Sequence, residues 1–177
     1  MEQVVVLVLA SGKGERFVAS GGAGSKLQAM LGGKSVLART LEAVHASGLA
    51  WHLEDAGHAG MGDSIGAAAR AASGAQGWLV LPGDLPLVRP QTLRRVAEAL
   101  REHGLVVPFF QGRQGHPVGF GRAWGAQLAA LSGPRGAASL LRDGTPWRLD
   151  VDDEGAVTDV DTLEDLATAE RLLALRR

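Results

Sequence analysis

Three cations, Lys13, Arg16 and Lys26, follow an apolar run, Val4 to Leu9, across the Gly-rich stretch Ala10-Ser11-Gly12-Lys13-Gly14. Glycine lets backbone N–H groups approach an anion closely, and nearby cations offset its charge. The pattern therefore suits a phosphate chain. An ordinary strand-to-helix turn with solvated cations is the bland alternative, since short Gly motifs recur by chance.

Two further places offer carboxylates. Asp84, in Leu81-Pro82-Gly83-Asp84-Leu85-Pro86, ends a second apolar run and is framed by glycine and proline. A hard cation such as Mg2+ takes one or two carboxylates together with phosphate oxygens and water, and Asp84 can supply one of them; a turn or helix cap is the alternative. Asp159-Val160-Asp161 projects both carboxylates to the same side if extended. Asp159 is the second metal candidate, while Asp161 divides evenly between that role and the entry turn of the last helix. In Gly60-Met61-Gly62-Asp63-Ser64, Asp63 or Ser64 caps a helix or faces a base or ribose.

Other chemistries can be set aside. A dinucleotide-binding G-x-G-x-x-G needs glycine where Phe17 stands, and Gly33-Lys34-Ser35 lacks the first Walker A glycine, because position 28 is Gln28. His52, Glu54, Asp55 and His58 match no H-E-x-x-H spacing and read as a polar strand and loop. His116, before Pro117, reads as a structural histidine rather than a general base.

The elements that must position these residues alternate. Val4 to Leu9 and Trp78 to Leu81 have the continuous apolar character of strands covered on both faces. Leu105 to Val107, Pro117 to Phe120 and Trp147 to Val151 are weaker strand candidates. Helical periodicity covers Val36 to Ala46 and Pro90 to His103, the latter with Gly104 as its stop. Thr162 and Asp165 have capping-box spacing ahead of a helix whose apolar stripe is Leu163, Leu166 and Leu173. The expected fold is an α/β three-layer sandwich with a mostly parallel, Rossmann-like sheet. In such a sheet ligands gather at the carboxyl ends of strands, which puts Ser11 to Lys26 and Pro82 to Pro86 on one edge.

Composition narrows the class. With 177 residues, 46% of them hydrophobic, the chain can bury a core as one domain, residues 1–177, without staples. A net charge of −1, from 18 basic and 19 acidic residues, leaves no broad footprint for nucleic acid or an anionic membrane. The absence of cysteine rules out disulfides, thiolate catalysis and Cys-based zinc sites. Apolar runs are too short to span a bilayer, Met1-Glu2-Gln3 is no basic signal region, and a cytoplasmic protein is expected.

Taken in order, these motifs resemble those of the molybdenum cofactor cytidylyltransferase and guanylyltransferase family. Leu9-Ala10-Ser11-Gly12-Lys13-Gly14-Glu15-Arg16-Phe17 is similar to its opening L-A-[AG]-G-x-[GS]-x-R-[MF], and Lys26-Leu27 to the end of its P-K-L. Gly60-Met61-Gly62-Asp63-Ser64 resembles its base-side G-M-x-x-S, Gly83-Asp84-Leu85-Pro86 its G-D-x-P, and Gly115-His116-Pro117-Val118 its G-x-P. Asp159 to Leu166 resembles the closing D-[IV]-D-T-P-E-D-L. The chain departs from the pattern in a long insert between Arg16 and Lys26, in Ser25 and Leu163 where prolines are expected, and in a short stretch between Ser47 and Gly60. A strand and a helix are therefore expected to be missing there.

The resemblance implies transfer of a nucleotidyl group from an NTP to a phosphorylated acceptor of molybdopterin type, with release of pyrophosphate. Arg16 and Lys26 would be catalytic, stabilising triphosphate charge. Leu9, Ala10, Ser11, Gly12, Lys13, Gly14, Asp63 and Ser64 would bind nucleotide, and Asp84 and Asp159 would hold Mg2+. In that family Ala or Gly at the Ser11 position separates CTP from GTP; Ser11 is neither, and CTP is favoured. A sugar- or polyol-phosphate acceptor, or a non-catalytic nucleotide-binding role, are the alternatives. The implied protein partner is a molybdoenzyme or its chaperone.

Overall fold

The computed structural model describes residues 3–176; Met1 and Glu2, read above for a signal region, and Arg177 lie outside it. The strands are β1 (Val4–Leu9), β2 (Met30–Leu31), β3 (Lys34–Ser35), β4 (Ala50–Glu54), β5 (Gly77–Pro82), β6 (Leu105–Phe110), β7 (Arg113–Gln114), β8 (Val118–Gly121) and β9 (Trp147–Asp150). The helices are α1 (Glu15–Ala19), α2 (Val36–Ser47), α3 (Met61–Ala71), α4 (Pro90–Ala99), α5 (Gly125–Ala129), α6 (Ala138–Asp143) and α7 (Leu163–Ala174).

The main sheet runs β4-β1-β5-β8-β6, with β7 and β9 also pairing with β6. Strands β4, β1 and β5 are parallel, as are β6 and β9, while β8 runs antiparallel between β5 and β6. The mostly parallel sheet expected from sequence is present. The missing elements are also as expected, since β4 is the only strand between α2 and α3 among the described residues and forms the sheet edge.

Alternation along β1 divides the core between the two faces. Val5, Leu7 and Leu9 pack with Ile65, Ala68, Trp78 and Leu128 on one side. Val6 and Val8 pack with Val44, Leu79, Leu93 and Val96 on the other. Burial on both sides is why β1 and β5 read as unbroken apolar runs.

Boundaries differ from the sequence expectation where backbone chemistry intervenes. Strand β8 starts at Val118, because Pro117 has no N–H to give a ladder. Helix α4 ends at Ala99, short of Gly104, where Arg101 N–H turns to the Glu98 carbonyl at 3.0 Å and tightens the last turn. Helix α7 has the full capping box: Thr162 Oγ1 accepts from Asp165 N–H at 3.2 Å, and an Asp165 oxygen accepts from Thr162 N–H at 2.9 Å. Leu163 does not join the buried stripe and stays 39% exposed.

A second reading of Gly60-Met61-Gly62 also emerges. A Cβ on Gly60 would lie 2.2 Å from the Gly133 carbonyl oxygen, one on Gly62 2.6 Å from those of Ser132 and Arg135, and one on Gly66 2.5 Å from that of Leu131. These glycines form a seam along which α3 meets the backbone of residues 131–135. Gly62→Ala is expected to destabilise the protein by about 3 kcal/mol, read as a lowered urea midpoint, because neither backbone can yield to a new methyl group.

Candidate active site

The carboxyl ends of β1 and β5 lie side by side, and Gly83 is what lets them do so. Its N–H donates to the Leu9 carbonyl at 2.8 Å, and a Cβ there would stand 2.9 Å from that same oxygen. Asp84 follows immediately. Its backbone is pinned from two directions: the buried Thr40 hydroxyl donates to the Gly83 carbonyl at 2.8 Å, and Val160 N–H donates to the Asp84 carbonyl at 2.9 Å. The second bond brings Asp159-Val160-Asp161 against β5.

Lys26 closes the group. Its Nζ donates to Asp84 Oδ2 and to Asp161 Oδ1, each at 2.7 Å, and an Arg16 guanidinium nitrogen lies 3.3 Å from the other Asp161 oxygen. Burial acts to lower the Lys26 pKa, but the charge of Asp84 and the hydrogen bonds to Asp161 and Asp84 outweigh it and push it above its ordinary value. Burial likewise acts to raise Asp161, and its Lys26 and Arg16 partners hold it below the usual carboxylate range. Among the described residues no cation pairs with Asp159. Partial enclosure and the charge of Asp84 push its carboxyl up to about 6.

One carboxylate oxygen from each of Asp84, Asp159 and Asp161 falls within 4.8 Å of the others. Hard oxygen donors at this spacing fit a divalent cation of the Mg2+ or Mn2+ kind. Asp161 stands in this group and in the helix-entry turn as well, since its N–H donates to Asp165 at the head of α7.

The Gly-rich loop separates two concavities. A cavity of about 120 Å³ is lined by Leu9, Ser11, Gly12, Lys13, Ser64 and Asp84, together with Lys26 and His58. A more open one of about 340 Å³ is lined by Lys13, Gly14, Arg16 and Asp161. The N–H groups of Ser11, Gly12 and Lys13 donate to no backbone carbonyl among the described residues, whereas Ala10 N–H is taken by the Glu54 carbonyl at 2.9 Å. Gly14, at φ 63°, makes the left-handed turn into α1. Of the residues expected to bind nucleotide, Ala10 and Asp63 line neither concavity; the Asp63 carboxylate instead accepts from Gly133 N–H at 3.1 Å and so fastens the glycine seam.

The long insert before Lys26 folds back on the site. Gly22 lies against the buried Phe17 ring, and Ser20 Oγ accepts a hydrogen bond from Leu163 N–H at 3.0 Å. Proline at 163 would have no N–H to give. The insert and the loss of that proline are therefore two halves of one contact.

Sequence reasoning placed Glu54 in a polar strand and loop and gave it no partner. This buried carboxylate receives His58 Nε2 at 2.9 Å and His52 Nε2 at 3.1 Å. Burial acts to raise its pKa, and the two histidines outweigh that and hold it below its ordinary value. A depressed carboxyl contributes stability that is present above its unfolded pKa and is lost as pH falls through the folded one. Glu54→Gln is therefore expected to remove part of the acid destabilisation below about pH 4.5, measured as a flatter urea midpoint against pH than in the parent protein. His116, read as structural, has its ring at the Val80 carbonyl. Burial lowers its pKa, and its Nδ1 is the one buried side-chain nitrogen without a partner among the described residues.

Known proteins share this architecture. A nucleotidyl transferase from Methanothermobacter thermautotrophicus, Mth528, superposes with a TM-score of 0.81 at 20% identity, covering 100% of both chains. Rv0371c of Mycobacterium tuberculosis H37Rv superposes with a TM-score of 0.77 at 24% identity, covering 96% of this chain and 97% of that one. A second structure of Rv0371c is a complex with manganese. At these identities the likeness establishes the fold. A 64-residue stretch, 36% of this chain, is 41% identical to the bifunctional protein GlmU of Geobacter sulfurreducens and spans only 13% of its length. Residues 42–151, more than half of the chain, match the family described as the MobA-like NTP transferase domain. The chain belongs to that family, and it is a nucleotidyltransferase.

Proposed function

We propose that this protein transfers a nucleoside monophosphate, CMP in preference to GMP, from an NTP to a small phosphorylated acceptor of molybdopterin type. The observation that carries the reading is Lys26 held between Asp84 and Asp161, beside a Gly-rich loop whose N–H groups are unspent. In the reaction an acceptor phosphate oxygen forms a bond to the α-phosphorus while the bond from that phosphorus to the β-phosphate oxygen breaks, and pyrophosphate leaves. The acceptor phosphate is already ionised, so no strong general base is needed. Positioning and neutralisation of charge supply the catalysis.

Asp84 and Asp159, with Asp161 in reach, would hold a divalent cation, for which Mg2+ is the proposed ion. When bound, it supplies positive charge to the triphosphate. Arg16 and Lys26 add to that charge from the protein, and Ser11 to Lys13 offer backbone donors. A reducing cytoplasm suits a chain without cysteine. Pyrophosphate release is to be measured from each NTP with Mg2+ against molybdopterin-type, sugar-phosphate and polyol-phosphate acceptors. Release from CTP with the first class is expected; release only with the others would sink the acceptor assignment, and nucleotide binding without release from any pair would sink the catalytic reading.

A further inference from the structure

We propose that β4 is a docking edge for a second copy of this chain, and that two β4 strands pair antiparallel about a two-fold axis at His52, joining two sheets into one.

Strand β4 ends the sheet, with β1 on one side and no strand on the other among the described residues. Which of its backbone groups face outwards follows from one bond. The Glu54 carbonyl accepts Ala10 N–H at 2.9 Å, so Glu54 is turned towards β1, and backbone groups alternate sides along a strand. Ala50 and His52 therefore face β1 as well, whereas Trp51 and Leu53 present N–H and C=O to the outside. Among the described residues no strand, loop or side chain takes these outward groups.

The opposite edge is built differently. Strand β9 carries Arg148 and Asp150, which pair with each other at 2.9 Å, and Arg95 donates to the Asp150 carbonyl at 3.1 Å. Charges and covered carbonyls keep an edge from adding a strand. Strand β4 contains no Lys, Arg or Pro, and its one acid, Glu54, is buried and held by His52 and His58. Its Trp51 is 41% exposed and braced edge-on by His45 of α2, with ring centroids 4.8 Å apart.

The outward pattern is self-complementary. In an antiparallel pair centred on His52, Trp51 stands opposite Leu53 of the second copy and exchanges both backbone bonds with it, and Leu53 does the same with Trp51. Leu53 packs with the Val6, Val8 and Val44 side of the core and Trp51 leans on α2, so both lie on one face and each bonded pair is also an apolar cross-strand pair. So short a ladder favours a partner that is already ordered. A flexible peptide would lose most of the gain in being fixed, whereas a second copy brings a strand held by its own β1 and closes the contact in a two-fold dimer.

The test is sedimentation velocity of the full chain, which is expected to pass from monomer to dimer between about 1 μM and about 1 mM protein. Trp51→Lys puts a charge on the edge and should stay monomeric over the same range, with an unchanged far-UV CD spectrum. The axis is tested separately by cross-linking, because the chain has no cysteine of its own. Facing residues at the centre of such a pair have Cα atoms about 4.5 Å apart, within reach of a disulfide. Under mild oxidation His52→Cys should form a covalent dimer at least about tenfold faster than Glu170→Cys, on the exposed side of α7. A parent monomeric throughout, a Trp51→Lys variant that dimerises as the parent does, or equal cross-linking of the two cysteine variants would overturn the proposal. None of these readouts depends on nucleotidyl transfer.

Discussion

Asp84→Asn is expected to lower turnover by about a thousandfold at saturating NTP and Mg2+, with thermal unfolding showing an intact fold. Several kcal/mol of transition-state stabilisation hang on the charge at this position, and each 1.36 kcal/mol is a factor of ten. The amide keeps the shape of the side chain and its backbone anchors to Thr40 and Val160. It removes the negative charge that both a divalent cation and Lys26 require. A variant that kept full Mg2+-dependent turnover with the correct substrates would show that Asp84 is only a turn residue.

Lys26→Met should cost about 10²- to 10³-fold in kcat, the usual result of removing one preorganised donor from a reacting phosphoryl group. A second outcome separates this lysine from an ordinary surface cation. Its ammonium now sits 2.7 Å from Asp84 and from Asp161, so a divalent cation entering alone must compete with it for the same oxygens. Without the ammonium Asp84 loses its cation and Asp161 keeps only the exposed Arg16, so added MgCl2 should raise Tm more in the variant than in the parent. A merely structural lysine would show the loss of stability without the gain in metal response.

Much of this site was legible in the sequence because its parts lie at the ends of strands with a strong apolar signal. Val4–Leu9 and Trp78–Leu81 announced themselves, and the rule for parallel sheets then put their following loops together. The α7 capping box was legible for the same local reasons, and the shortened middle from the departure from the family pattern. What stayed hidden depends on contacts across long stretches of chain. Nothing near Lys26 in sequence tells that it will lie between Asp84 and Asp161. Glu54 and His58 read as parts of a polar strand and loop, because burial of a charge is decided by partners rather than by its neighbours in the chain. The Gly60-Met61-Gly62 run looked like a loop signature, yet its cause, shared with Gly66, is the close approach of residues 131–135. Asp63 was drawn off by that same seam.

The bond between Leu163 and Ser20 joins positions 143 apart, and that between Lys26 and Asp161 joins positions 135 apart. A ribosome delivers the chain from its amino end, so the Gly-rich loop emerges long before either of its anchors exists. During synthesis the loop is without its frame. Only when residues 159–163 have left the ribosome and settled against β5 can Arg16, Lys26 and the insert take their places, which makes this site one of the last parts of the molecule to be completed.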